Sequence, residues 1–216
     1  MGRDNQPKSR QRRRIERKIG RREPYDRLLI VCEGEKTEPD YFNEIRQYHK
    51  LSSANVLAIP SEYGTLPQQI VDYARDYCKK DNRWEKVFCV FDEDAHPNFT
   101  NAIESIMAKK RKLKNDQGKG IEFYAIPSAP CFELWLFLHF KLHTAKISRF
   151  DLLKKLKKRL LDYEKGGGYH FVATKDRLET AYTNVKQLSQ NRKGPQVQNP
   201  FTAVDEVVKA LMKLAE

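Results

Sequence analysis

The sequence has few cysteines and no long apolar run. It contains four cysteines, none of them in a CxxC pair, and three lie within short apolar runs. We therefore expect buried thiols in a reducing compartment, and neither a zinc site nor a disulfide framework. No apolar run approaches the about 20 residues that a membrane helix needs. The basic N-terminus is not followed by the apolar core of a secretory signal. These absences predict a soluble, cytoplasmic protein.

The sequence also lacks the common phosphate-loop and nucleophile motifs. It has no P-loop, no GxGxxG, no HExxH and no nucleophile elbow. It does carry a large excess of positive charge, with a net charge of +12 and a pI near 9.5. Such an excess indicates a polyanionic partner, most often nucleic acid. A basic protein without such a partner is the alternative, since charge alone does not exclude it.

Residues 1–24 are rich in arginine and lysine and have almost nothing apolar. A segment of this composition buries too little surface to fold alone, so we interpret it as a flexible basic tail. Arg12, Arg13 and Arg14 are our candidates for contacts with a phosphate backbone. A solvated tail, or a helix that docks on a partner protein, is the alternative.

The remainder of the chain alternates between short apolar runs and amphipathic stretches. The pattern predicts strands at 27–33, 55–60, 87–94 and 121–127, and helices at 40–50, 67–80, 98–114 and, started by Pro130, at 130–140. This alternation is typical of an α/β fold with a mainly parallel sheet flanked by helices. Further helices are predicted at 150–163, 178–191 and 202–215, the last with Thr202 as its N-cap. We therefore divide the chain into a tail (1–24), a core (25–145) and a helical C-terminal extension packed on the core (146–216).

Acidic residues follow two of the predicted strands. Glu33 ends the first strand, and Asp92 and Asp94 end the third. Ligands of α/β proteins bind outside the carboxyl ends of strands, and carboxylates are the ligands that Mg²⁺ and Mn²⁺ prefer. We expect these acids to bind a divalent metal and to support phosphoryl chemistry. Ordinary turn formers or helix caps are the alternative. Three more acids are candidates for a second metal or a general base: Glu38, Glu93 and Glu133.

Several basic residues and one buried acid complete the candidate site. Glu133 lies in an almost wholly apolar stretch, where the helix dipole favours an acid but an unpaired carboxylate is costly. A metal or a lysine would satisfy it. Lys36 either neutralises a phosphate or balances the acids beside it. The basic helix predicted from 150 carries three further candidates for nucleic-acid contact: Lys154, Lys155 and Lys158.

Five stretches carry a resemblance to a known family: LLIVCEGEKTEPDYF (28–42), VFDEDAH (90–96), SAPCFELWLFLHF (128–140), YEK (163–165) and NPFTAVDEVV (199–208). Together they resemble the RloB family, which is associated with bacterial restriction and abortive-infection loci. The family is similar to Toprim domains, which carry one acid after the first strand and a DxD after a later strand. The resemblance places these acids at Glu33, Asp92 and Asp94. It adds Glu133 and Lys165 as catalytic candidates, with Lys175 as the weaker alternative for the lysine.

The resemblance implies a Toprim-like, Mg²⁺- or Mn²⁺-dependent endonuclease that acts in phage defence. We favour an RNA substrate, with tRNA plausible because toxic defence effectors often target it. A DNA nuclease with the same site is one alternative. A non-catalytic nucleic-acid-binding or regulatory subunit is the other. Family members are often encoded beside an ATPase, so a partner ATPase is expected, and assembly into a homo-oligomer stays open.

Overall fold

The structure is a computed structural model, and it describes residues 26–93, 103–104, 106, 113–164, 166–190 and 197–216. The predicted basic tail lies outside these residues. So do Arg12, Arg13, Arg14, Asp94, Lys165 and most of the helix predicted at 98–114.

A five-stranded sheet forms the centre of the fold. Its strands are β1 (Leu28–Cys32), β2 (Val56–Pro60), β3 (Lys86–Asp92), β4 (Glu122–Ala129) and β5 (Phe201–Thr202). The strand order is β2-β1-β3-β4-β5. The first four strands are parallel to one another, and β5 pairs antiparallel with β4. The predicted α/β class with a mainly parallel sheet is confirmed.

The described helices connect and cover these strands. They are α1 (Thr37–Tyr48), α2 (Pro67–Lys80), α3 (Glu133–Leu138), α4 (Arg149–Lys157), α5 (His170–Thr174), α6 (Leu178–Gln190) and α7 (Val204–Lys213). A 3₁₀ turn at Lys175–Arg177 joins α5 to α6. No helix within the described ranges is long and apolar enough to cross a bilayer.

Both faces of the sheet are buried. Along β1 the side chains of Leu28, Ile30 and Cys32 enter one apolar cluster, and those of Leu29 and Val31 enter another. The first cluster includes residues of α1, α3, α4, α5, α6 and α7, whereas the second includes residues of α2. Successive residues of a strand face opposite sides of the sheet. A strand that is covered on both faces is therefore apolar at every position, as β1 is.

Some predicted boundaries are wrong, and tertiary contacts explain why. The helix predicted from Pro130 begins only at Glu133 and ends at Leu138. The strand predicted to end at 127 continues through Ser128 and Ala129, because both residues pair with neighbouring strands. The basic helix predicted to reach 163 ends at Lys157. Lys114 forms a β-bridge with Gly120 in place of the predicted helix end.

Two short elements were not predicted. Thr202 belongs to β5 and precedes α7 by two residues, so it is not the N-cap residue, although its hydroxyl accepts a hydrogen bond from the Val204 N–H at 3.3 Å. Helix α5 begins where the carboxylate of Glu44 accepts the backbone N–H groups of His170 and Phe171, at 3.1 and 2.9 Å. The division of the chain at 145/146 stays a prediction.

Candidate active site

The carboxyl ends of β1 and β3 meet at one edge of the sheet. These strands pair in parallel, with Cys32 opposite Val90. The ladder continues one residue further, since the Glu33 N–H donates to the Val90 carbonyl at 3.0 Å. The Glu33 carboxylate then accepts the backbone N–H of Asp92 at 2.8 Å. The acids that follow the first and third strands therefore lie next to each other, as expected.

Asp92 is the last residue of β3 and is held on both carboxylate oxygens. Its Oδ1 accepts the backbone N–H of Phe132 at 2.9 Å, and its Oδ2 forms a short ion pair with Nη2 of Arg149. Phe132 immediately precedes α3, and Arg149 is the first residue of α4. Asp92 is 4% exposed. One buried carboxylate thus joins the sheet to the starts of two helices.

The surroundings of Asp92 are electronegative. Its pKa lies well above the ordinary aspartate value, first because of burial and then because of the negative charges of Glu38 and Glu33. Glu133 acts in the same direction, and Arg149 opposes it. Because Arg149 does not offset the other contributions, an additional positive charge here would stabilise the ionised form of Asp92.

Glu38 enters this cluster from the first turn of α1. It is buried, and its carboxylate lies directly against Gly34. A Cβ atom at position 34 would lie 1.9 Å from Glu38 Oε2. A side chain at position 34 would therefore displace the Glu38 carboxylate from its present place, and the φ angle of Gly34 plays no part in this. The negative charge of Glu38 also helps burial to raise the pKa of the Cys32 thiol.

Glu133 occupies the first position of α3 and is 3% exposed. Its Oε1 accepts the Tyr163 hydroxyl at 2.8 Å, inside the apolar interior. Burial raises the pKa of Tyr163, and the charge of Glu133 raises it further, so the phenol keeps its proton and donates. The acid expected to need a metal or a lysine thus has a phenolic partner.

A glycine-rich loop packs against the turn that carries Lys36. The Gly166 N–H donates to Thr37 Oγ1 at 3.1 Å. A Cβ at Gly166, whose φ is +75°, would lie 3.1 Å from the Cδ atom of Lys36. Lys165 itself lies outside the described residues, so its predicted role stays a prediction.

The structure thus brings four of the predicted acids into one cluster, which we call the acid cluster: Glu33, Glu38, Asp92 and Glu133. Lys36 is exposed on the adjoining turn. Lys154, Lys155 and Lys158 lie exposed on or just beyond α4, away from its first residue. In the part of the chain that the structure describes, no three His, Cys, Asp or Glu side chains are arranged to hold a metal ion. The metal therefore stays a prediction.

Arg149 and the bond from Tyr163 to Glu133 were not predicted. Arg149 lies 57 residues from its partner Asp92, and nothing in the local sequence distinguishes it from the other basic residues of α4. Tyr163 stood inside a recognised motif, but no spacing rule connects it with Glu133, 30 residues earlier.

The comparisons with known proteins place these residues inside one family match. The chain matches the family described as RloB-like protein over residues 28–211. The match includes the acid cluster, Arg149 and Tyr163, and it confirms the resemblance seen in the sequence. No curated protein and no solved structure matches the chain.

Proposed function

The chain belongs to the RloB-like protein family, and we propose that it is a Mg²⁺- or Mn²⁺-dependent endonuclease of Toprim-like architecture. One observation carries the proposal. Glu33 and Asp92 are joined at the ends of adjacent parallel strands, and Asp92 lies in the negative field of Glu33, Glu38 and Glu133. Convergent carboxylates at this edge of an α/β sheet suit a hard divalent cation.

The donor types suit magnesium, but binding would require the described acids to move, since no three of them are arranged to hold an ion. Glu33, Glu38 and Asp92 offer oxygen ligands, and Mg²⁺ needs few of them because it keeps several waters. Asp94, two residues after Asp92, would complete the set. When bound, such an ion stabilises the oxygens that gain charge as a phosphodiester bond breaks.

The chain's own residues would position the substrate and the acids. Arg149 orients Asp92 through Nη2, and its side chain is 34% exposed, so we propose that the rest of its guanidinium contacts a phosphate. Tyr163 holds Glu133 in one orientation and supplies it with a proton donor. Lys36, exposed on the turn after β1, would contact another phosphate.

The substrate we propose is RNA, with tRNA as a candidate, and the setting is bacterial anti-phage defence in the cytoplasm. Support comes from the net charge of +12 and from three exposed lysines on or just beyond α4: Lys154, Lys155 and Lys158. Arg12, Arg13 and Arg14 would add backbone contacts. An ATPase partner and a homo-oligomeric assembly complete the proposal, and a DNA nuclease with the same site is the nearest alternative.

A second function is favoured by a specific observation. Both oxygens of Asp92 already have protein partners, Phe132 and Arg149. A carboxylate satisfied in this way also suits a non-catalytic nucleic-acid-binding or regulatory subunit of a defence ATPase complex. In that case Arg149 would stay bound to Asp92, and no divalent metal would bind.

The test is cleavage of end-labelled total RNA and of plasmid DNA with Mg²⁺ or Mn²⁺. Wild type is compared with Asp92→Ala/Asp94→Ala and with Asp92→Asn, which keeps an acceptor for the Phe132 N–H. Glu179→Gln, on an exposed part of α6, is the matched charge control. We expect metal-dependent RNA cleavage by wild type and the control alone. Cleavage of DNA alone would support the nearest alternative. Cleavage that Asp92→Asn retains in full would contradict the assignment of the site.

A further inference from the structure

A second charged feature lies at the far ends of α3 and α4. A cavity of about 290 Å³ is lined by six residues, which we call the basic pocket: Phe137, Lys141, His143, Lys155, Lys158 and Arg159. Four of the six are permanent cations and none is acidic. Phe137 is 4% exposed, and its ring meets the imidazole of His143 edge-on at 6.3 Å. The pocket therefore has an apolar floor and a cationic rim.

The cations of the rim form no ion pairs within the described residues. Lys141, Lys155, Lys158 and Arg159 are all exposed, and none forms an ion pair with any residue in the described ranges. The pKa of His143 is lowered by burial and then by the positive charges of Lys155 and Lys141. Lys141 and Lys155 are therefore close enough to His143 for their charges to act on it, at the edge of the cavity.

Helix dipoles explain only part of this charge. Basic residues commonly stabilise the negative end of a helix, and both α3 and α4 end at the pocket. Each full helix end carries about −0.5 of an elementary charge. Two ends therefore offset about one of the four cations and leave about three. A net charge of this size, without described counter-ions, suits an anionic ligand.

The same two helices connect the pocket to the acid cluster. Phe132 and Arg149 stand at the starts of α3 and α4 and both bond to Asp92, whereas Phe137 and Lys155 lie near the ends of these helices. Six helical residues of α3 span about 9 Å and nine of α4 span about 14 Å. At about 3.4 Å per stacked nucleotide, this separation corresponds to about three to four nucleotides of one strand.

We propose that the basic pocket binds one phosphate group of a nucleic-acid strand, about three to four nucleotides from the acid cluster. This inference rests on the proposed function only for the identity of the anion. The cavity is at the small end of ligand sites, which suits a phosphate with part of its nucleotide. Among the lysines on or just beyond α4, the proposal assigns phosphate binding to Lys155 and Lys158, because Lys154 and Lys157 do not line the cavity.

The experiment compares two double lysine variants by fluorescence anisotropy with a 12-nucleotide single-stranded RNA. Lys155→Gln/Lys158→Gln removes two charges from the pocket, and the control Lys157→Gln/Lys213→Gln removes two exposed charges outside it. Binding is measured in EDTA, so that it does not depend on metal or cleavage. A 5′-phosphorylated and a 5′-hydroxyl RNA distinguish a terminal phosphate from one within the strand. Far-UV circular dichroism checks that both variants are folded.

We expect the pocket variant to bind at least about tenfold more weakly and the control variant less than about threefold more weakly. The slope of the logarithm of the RNA-binding constant against the logarithm of the salt concentration should become less negative by about 0.7 in the pocket variant alone. Equal losses in both variants, no loss in either, or no binding by wild type would overturn the proposal. If the pocket variant binds RNA more weakly but wild type does not cleave RNA, the basic pocket is supported and the nuclease proposal is rejected. If wild type cleaves RNA but the pocket variant binds as well as wild type, the nuclease proposal is supported and the basic pocket is rejected.

Discussion

Replacing Arg149 with methionine tests the ion pair at the centre of the acid cluster. The change removes the cation bonded to Asp92, which is 4% exposed and surrounded by other acids. Breaking a buried ion pair from one side costs about 3–5 kcal/mol. Solvent reaches 34% of the Arg149 side chain and screens the pair, so we expect about 2 kcal/mol. Urea titration of the unfolding free energy near pH 8 measures it.

The loss should depend on pH with a definite sign. The pKa of Asp92 is raised in the folded state, so this state holds the proton more tightly than the unfolded chain does. The stability that Asp92 contributes therefore falls as the pH rises from about 3.9, the ordinary aspartate pKa, towards the raised value. Without Arg149 the pKa rises further. Arg149→Met should consequently cost less near pH 5 than near pH 8.

A double-mutant cycle with Asp92→Asn isolates the pair. In the Asp92→Asn background there is no carboxylate to leave unpaired, so Arg149→Met should cost less than about 0.5 kcal/mol. Arg159→Met, an exposed arginine elsewhere on the same segment, is the matched control and should also cost less than about 0.5 kcal/mol. If Arg149→Met costs the same with and without the Asp92 carboxylate, Arg149 does not stabilise the protein through its ion pair with Asp92.

Three further predictions concern the neighbouring contacts. Tyr163→Phe removes the donor to Glu133 and should lower the unfolding free energy in urea by about 1.5–3 kcal/mol; an unchanged value would show that this bond contributes nothing. Gly34→Ala drives a methyl group into the carboxylate of Glu38 and should weaken Mn²⁺ binding in calorimetry by about tenfold or more, whereas undiminished affinity would contradict the role of Glu38. Mg²⁺ at about 100 times its Kd should raise the unfolding free energy of wild type by about 2.7 kcal/mol and leave that of Asp92→Asn unchanged. An equal increase in both proteins would show that the ion binds outside the acid cluster.

The sequence predicted the sheet and its acids because both depend on local pattern. A short apolar run ended by an acid marks a buried strand and the edge at which it stops, and Glu33 and Asp92 each obey this rule. Adjacent parallel strands then bring these edges together without any further information. The predicted helices between the first strands follow for the same reason, since each repeats an apolar face over several turns.

The remaining contacts could not be predicted because they join distant parts of the chain. Arg149 reaches Asp92 across 57 residues, and Glu44 holds the start of α5 across 126. The two residues of β5 are too few to show a period, and only their pairing with β4 defines them. These elements arise from tertiary packing, which overrides the local preferences that pattern analysis reads.

The proposed nuclease depends on the binding of a divalent cation by the acid cluster. Titration of Mn²⁺ into the protein, followed by electron paramagnetic resonance, measures this directly and needs no substrate. Wild type and Glu179→Gln should bind Mn²⁺ with the same affinity, and Asp92→Asn should bind at least about tenfold more weakly. No Mn²⁺ binding by wild type, or equal binding by all three proteins, would contradict the claim and favour the non-catalytic alternative.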